Sequence, residues 1–379
     1  MNAQPRLCLQ DTDCQWQESF LAIQAYQDEQ VAPAILRLKQ DQSLLAKLNQ
    51  LFPSDTGLDQ ALVELDDIDS VDDLQNWIEQ NILPLIENSY ASFSISGLDQ
   101  LDPGQAYIFI SNHRDIVMDP LLLNQALRRN GFGSANCAIG DNLLLHPSSN
   151  DLALLNRCFK VFRSLKSPRA MLNAMKTQSA YIQYLHFNQQ QHIWIAQKEG
   201  RAKDNIDKTN PALIKMLGLS KPADWSISDY LEILNIVPVC FSYEWDPCDI
   251  DKANELLLME AGGGFQKTAL DDLNATQKGL KGQKGQIHLH FSQALEARPE
   301  TMLDHKIVAD KIDQAIKQHY QFFPVNFAAY KKIKGQAFEP CPFNKQEVNY
   351  ALKTLEKRLA NCSPEIERRV LQAYAQVLL

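Results

Sequence analysis

From about Tyr90 to Gln293 the chain alternates short apolar runs with stretches of helical spacing, and that alternation leaves few architectures open. Runs of four to eight apolar, β-branched or aromatic residues between turn residues read as strands, and strands separated by helices form an α/β domain. The expected strands are Ala106–Ile110, Asn136–Gly140, Phe159–Phe162, His192–Ala196, Ile236–Tyr243 and Gly285–Phe291. Ile236–Tyr243 is the most apolar of them, and Gly285–Phe291 alternates its side chains. Between strands, Leu152–Asn156 reads as helical. Ser167-Pro168 starts a long helix that turns Met171, Met175, Gln178, Ile182 and Leu185 inward. The fold class expected is α/β, a mixed sheet with helical segments before and after it.

Those segments suggest three domains, over 1–89, 90–299 and 300–379. In the first, Val31–Lys39 and Asp41–Phe52 have helical apolar spacing (Ile35, Leu38; Leu45, Leu48, Phe52) and stop at Pro53. Val71-Asp72-Asp73 opens another helix with Leu74, Trp77, Ile78 and Leu85 inward and a kink at Pro84. The acidic run Glu64–Asp73 reads as a solvated link carrying helix-start carboxylates rather than a metal site. In the tail, Asp304–Tyr320 is amphipathic, Asn344-x-x-Glu347 resembles a capping box, and Ser363-Pro364 starts a last helix.

Charge bears on partners. The formal net charge is −9, yet residues 1–100 hold 17 acids against 4 bases and the remaining 279 hold 29 against 33. An acidic headpiece on a mildly basic body fits an anionic ligand in the body better than nucleic acid, which calls for a strong basic face. None of the eight cysteines forms a Cys-x-x-Cys, which points to free thiols in a reducing compartment. Met1–Gln10 lacks a continuous apolar core and no stretch approaches about 18 uncharged apolar residues, so neither a secretory signal nor a spanning helix is expected. The expectation is a cytoplasmic protein, at most peripheral on the inner face of a membrane.

The chemistry gathers at Phe109–Pro120. The strand stops at Ser111-Asn112-His113, and a helix with Leu121, Leu122, Leu123, Ala126 and Leu127 begins from Pro120. A histidine at the C-terminal end of a buried strand lies where open α/β sheets place their ligands. Asp115 and Asp119 follow, and either could hold the imidazole as an oriented general base. Alone, the segment reads more readily as a polar strand-to-helix turn with a surface histidine, and it is the rest of the chain that overturns that reading. Other chemistries lack their motifs. There is no Gly-x-Ser-x-Gly, no phosphate-binding Gly-x-x-x-x-Gly-Lys-Ser/Thr, and Gly131-x-Gly133 lacks a third glycine. His288-x-His290 shares one strand face without a third ligand spaced for zinc, so no metal is expected. Gly262-Gly263-Gly264 reads as a flexible surface loop.

Four segments stand in order: Asn112-His113 with its downstream aspartate, Phe159-Lys160-Val161-Phe162-Arg163-Ser164, Lys198-Glu199-Gly200-Arg201-Ala202-Lys203, and Ile236-Val237-Pro238-Val239. In these the chain resembles the glycerolipid acyltransferases, which acylate glycerol 3-phosphate and 1-acylglycerol 3-phosphate. That family carries an Asn-His-x4-Asp block, a Phe-x-x-Arg block, a Glu-Gly block followed by basic residues, and a Val-Pro-Val strand. The resemblance covers roughly residues 90–293, and the helices in front resemble the soluble glycerol-3-phosphate acyltransferases more weakly. One departure stands out: five residues, not four, separate His113 from Asp119. Asp119-Pro120 opens the helix as the family's aspartate does, so Asp119 is assigned the orienting role through a local bulge, with Asp115 as its alternative.

The resemblance implies a hydroxyl attacking an acyl thioester, with His113 as base and backbone N–H groups at the helix start holding the oxyanion. It implies Arg163, Arg201 and Lys203 as donors to an acceptor phosphate, with Lys160 and Arg114 behind them, and Glu199-Gly200 shaping the phosphate pocket. Pro238 reads as structural. No cofactor is implied, since acyl-CoA or acyl carrier protein enters as substrate. The implied partners are that donor, a phosphorylated glycerol and a membrane surface, with no nucleic acid. Two rival readings are a silent lipid-binding or scaffold protein and an acyltransferase for another hydroxylated lipid.

Overall fold

The computed structural model describes residues 14–49, 55–163, 165–262, 269–296 and 304–379. Met1–Gln10, Pro53, Ser164, Gly263 and Gly264 lie outside the described residues, as does the end of the helix expected over Asp41–Phe52.

Seven strands form one sheet: β1 (Ser92–Ser96), β2 (Ile108–Ser111), β3 (Asn136–Gly140), β4 (Cys158–Val161), β5 (Ile193–Ala196), β6 (Ile236–Tyr243) and β7 (Gln286–Phe291), in the order β1-β7-β6-β2-β5-β3-β4. Neighbours are parallel except β6 and β7, so the sheet is mixed and the fold is α/β. β2 lies at its centre, with Phe109 level with Trp194 of β5 and Val237 of β6. β1 was not foreseen. Three of its five residues are serines, and as an edge strand it needs no apolar pattern on both faces.

The period-two alternation of the strands sorts the core into two layers. Ile108, Ile110, Ile193, Ile195, Ile236 and Cys240 face one cluster, closed by the helices Pro168–Gln183, Pro211–Leu217, Ile227–Ile233 and His305–Gln318. Phe109, Trp194, Val237, Val239, Phe241 and Tyr243 face the other, which the helix Met118–Arg129 covers with Met118, Leu122, Leu123, Ala126 and Leu127. Each such fully buried large side chain stabilises the fold by roughly 1.5–3 kcal/mol. Pro238 sits in the middle of β6 without breaking it. Its carbonyl accepts from Ser292 N on the β7 side, where the β7 ladder starts only at Val239, so its missing N–H removes no bond to β2.

The flanking helices close on this body. Val31, Ala34, Ile35, Ile68, Val71 and Leu74 cluster with Leu155 of the helix Pro147–Leu155. Asp55–Glu64 is a further helix, and Ser70 caps Val71–Asn81 by accepting from Asp73 N at 3.1 Å. The helical run is interrupted at Ile82, ahead of Pro84, and resumes as Leu83–Glu87. At the other end Phe323, Val325, Ala328, Leu355, Leu359, Val370, Leu371 and Tyr374 form a cluster with Ala253. No helix among the described residues is long and apolar enough to cross a membrane.

Candidate active site

At the end of β2 the main chain leaves the sheet, and a side chain continues the ladder in its place. Asn112, fully buried, accepts from Phe241 N at 2.7 Å and donates to Phe241 O at 3.0 Å. The next residue is His113. Its carbonyl accepts from Ala202 N at 2.8 Å, tying the segment after β5 to the turn. Its ring meets Trp194 edge-on at 5.6 Å, while Trp194 Nε1 donates to Ser111 Oγ at 2.8 Å.

His113 Nδ1 lies 2.8 Å from Asp119 Oδ2. The same oxygen accepts from Arg114 N at 2.6 Å and Asp115 N at 3.0 Å, and Oδ1 accepts from Tyr243 OH at 2.8 Å. Asp119 has no exposed surface, so these donors replace solvent around it. A carboxylate accepting at Nδ1 makes that nitrogen the protonated one and leaves the lone pair on Nε2, which has no protein partner among the described residues. The side chain of His113 is 15% exposed, enough to open one edge of the ring to a substrate.

The helix starts earlier than its sequence suggests. It runs Met118–Arg129 with Val117 at the N-cap, which puts Asp119 inside the first turn rather than at the cap. Asp115 is the reason: its Oδ1 accepts from Val117 N and Met118 N, both at 3.0 Å, which satisfies the first helical donors two residues ahead of the expected start. The five-residue spacing is absorbed in the non-helical turn before Val117, and Asp119, not Asp115, stands at the imidazole. The two carboxylates also consume the amides expected to hold an oxyanion. Of residues 114 to 118, only Ile116 has an N–H without an acceptor among the described residues. Burial and the neighbouring Asp119 push the Asp115 carboxyl above its ordinary range, and burial and Asp119 push the Tyr243 phenol well up.

The cations differ in burial and in how their donors are spent. Arg201 is 9% exposed, and its Nη1 is buried without a hydrogen-bond partner among the described residues. Burial opposes its charge, but Cys248, Asp246, Asp115 and Glu255 outweigh that and raise its pKa. Gly200, at φ +75°, supplies the left-handed turn two residues before Ala202, whose N–H reaches the His113 carbonyl. Lys203 and Arg163 are paired and partly exposed: Lys203 Nζ lies 2.9 Å from Glu255, and Arg163 Nη1 3.4 Å from Glu199. A Cβ on Gly140 would lie 2.5 Å from Arg163 Nε, so the glycine at the end of β3 is what admits the guanidinium. Lys160 is half-buried on β4. Arg114 is the correction. It is 5% exposed, donates to Asp207 at 2.5 Å and Asn205 at 2.7 Å, and lies over the Tyr320 ring, so its donors are spent inside the protein rather than offered to a phosphate.

His113, Arg163 and Glu199–Arg201 thus follow the C-terminal ends of β2, β4 and β5, along one edge of the sheet. Sequence reasoning missed Tyr243, whose one signal was a polar-tipped aromatic ending the most apolar run. It also missed Lys252, whose Nζ donates to Arg114 O at 2.7 Å and Asp246 at 2.5 Å, and the fully buried Lys284. Among the described residues no group of three or more His, Cys, Asp or Glu could hold a metal ion. His288 is taken up by Ser94 and Ser96, and His290 stacks on His319 at 3.8 Å.

No family model matches the chain, and no curated protein matches it. Among solved structures it is similar to the 1-acyl-sn-glycerophosphate (LPA) acyltransferase PlsC from Thermotoga maritima, at 10% identity and a TM-score of 0.36, over 82% of this chain and 97% of that one. That score is too low to carry an argument about this chain.

Proposed function

We propose that the protein is an acyltransferase that moves a fatty acyl group from acyl-CoA or acyl carrier protein to the hydroxyl of glycerol 3-phosphate or 1-acylglycerol 3-phosphate, in phospholipid synthesis. The observation that carries this reading is the pairing of a partly exposed His113 with a fully buried Asp119, joined through the His113 carbonyl to the segment holding Arg201, a buried cation with an unspent donor. The pair is a general base, and the unspent donor suits an anionic acceptor. The ordered blocks of the sequence support the same assignment.

In this mechanism His113 Nε2 takes the proton of the acceptor hydroxyl as its oxygen attacks the thioester carbonyl carbon. The tetrahedral intermediate places its oxyanion at the turn, where Ile116 N–H is the available amide. Collapse breaks the C–S bond, and the imidazolium returns its proton to the leaving thiolate, giving an ester and a free thiol. Arg201 holds the acceptor's phosphate, with Arg163 and Lys203 at the rim once they exchange Glu199 and Glu255 for it. The altered spacing leaves the His113–Asp119 pair intact, so a silent lipid-binding role gains nothing from it. A lipid acceptor would be met at a membrane surface, and no helix among the described residues is long and apolar enough to cross it.

The test is thiol release by the purified full chain from acyl-CoA and acyl carrier protein donors against glycerol 3-phosphate, 1-acylglycerol 3-phosphate and uncharged lysolipids. Turnover confined to phosphorylated acceptors is expected. His113→Ala should remove about 10²–10⁴-fold of it, and Arg201→Met should raise KM for the acceptor. Near-normal turnover in His113→Ala would remove the general base and the reading with it.

A further inference from the structure

We infer that Tyr243 is a positioning residue for the reaction: its hydroxyl holds the Asp119 carboxylate against His113 and draws charge away from the oxygen that faces the imidazole. The inference rests on the reading of His113 as the base. Asp119 Oδ2 already serves His113 Nδ1 and the amides of Arg114 and Asp115, so Oδ1 depends on Tyr243 OH at 2.8 Å. The carboxylate has no exposed surface, and an oxygen buried there without its donor would turn toward the remaining donors and away from the geometry that serves the ring.

Tyr243 is well placed to hold rather than follow. It ends β6, is level with Ile287 of β7, and stacks against Phe241 at 6.4 Å within the core that the helix Met118–Arg129 covers. Its phenol is kept protonated by burial and by Asp119, so it remains a donor. The charged groups around the pair do not substitute for it. Asp115 adds a second carboxylate, Arg114 is committed to Asp207, and Lys284 donates to Ser89 and Gly282. Arg201 acts on Asp115. Four hydrogen bonds spread the charge of Asp119. Removing the one on Oδ1 concentrates charge on the carboxylate beside the imidazole and favours its protonated form.

The experiment uses the full-length protein with Tyr243→Phe, which keeps the ring and deletes the hydroxyl. We expect kcat for acyl transfer to fall roughly tenfold, the worth of one charge-assisted hydrogen bond, with KM for donor and acceptor unchanged. The acid limb of the pH–rate profile should move to higher pH, and the downfield proton resonance of the His113 Nδ1–H should shift. Site-specific 3-fluorotyrosine at position 243, a stronger donor of nearly the same volume, should move the limb and the resonance the opposite way. If Tyr243→Phe does not fold, the fluorotyrosine protein carries the test. Folded variants whose limb and resonance stay in place would overturn the inference. The resonance is read without substrate, so it decides the role of Tyr243 even if no acyl acceptor is found. Failure of His113→Ala to lose turnover would sink the proposed function separately.

Discussion

Asp115 and Asp119 stand four residues apart with different partners. Asp119 accepts the imidazole N–H and a phenol, while Asp115 accepts two backbone amides and starts the helix. An amide at 119 would have to place an NH2 among four donors, lose the preferred tautomer of His113 and leave a buried donor unmatched. Asp119→Asn is therefore expected to lower kcat by about 10²–10⁴-fold and stability by roughly 1–3 kcal/mol. Asp115→Asn keeps an oxygen for Val117 and Met118, and its carboxyl is already raised toward the neutral form by burial, so a much smaller loss is expected. Thioester turnover and thermal melts of the two variants make the comparison. Equal losses would mean that the imidazole does not depend on Asp119 alone.

At the scale of elements, the C-terminal helices reach the site through a chain of polar contacts. Arg358 grips Asp249 with Nε at 2.8 Å and Nη2 at 2.9 Å, and Tyr374 OH donates to Asp249 and accepts from Asp246 N. Asp246 then pairs with Lys252, which donates to the carbonyl of Arg114 beside the base. The Asp249 side chain is 5% exposed, so removing its partner strands a buried charge. Arg358→Ala should cost about 3–5 kcal/mol, read from denaturant unfolding, and should lower turnover although Arg358 lies on another element. A melt unchanged from the parent protein would show that this contact is dispensable. The helix Ala269–Lys281 is fitted to the same turn from the other side. Gly279 lies over Asp115, where a Cβ would be 2.2 Å from Oδ2.

Over the whole molecule, stability responds to pH through buried groups that join its parts. Lys284 is fully buried where the N-terminal helices end and β7 begins: its N–H donates to Ser89 O and its Nζ to Ser89 Oγ, both at 2.8 Å. Burial pushes its pKa down from 10.5 to about 8 against the pull of Asp115, Cys248 and Asp246. Between those values the unfolded chain holds the proton that the folded chain has released, so this group makes stability rise with pH there. Below about pH 8 the penalty is complete. Lys284→Met should therefore raise Tm by roughly a few degrees near pH 7, and the gain should shrink above pH 8 as the parent lysine deprotonates. Calorimetry across that range checks it, and a gain independent of pH would point to packing instead. Paired carboxylates act in the same sense, at acid pH. Burial raises Asp151 and Asp246, but Arg37 with Tyr26 and Lys252 respectively outweigh it, so both lie below their ordinary range. Their stabilisation is present above the unfolded value and lost as pH falls through the folded one.

The amino-acid sequence by itself determined the α/β class, the bounds of β3 and β6, and the polar turn at the end of β2, because burial on both faces and helical spacing are written in consecutive residues. It also marked His113 and the residues after β5, since each follows an apolar run that stops abruptly. The edge strand β1, with its serines, and the helix Asp55–Glu64, next to an acidic run, carry no comparable pattern. What only the tertiary structure decided is which polar groups meet. Arg114 is spent on Asp207 across 93 residues, and Tyr243 reaches Asp119 across 124. Arg201 is left buried with a donor to spare. Such pairings depend on which strand ends share an edge of the sheet, and strand order is set by packing the whole chain rather than by any local spacing.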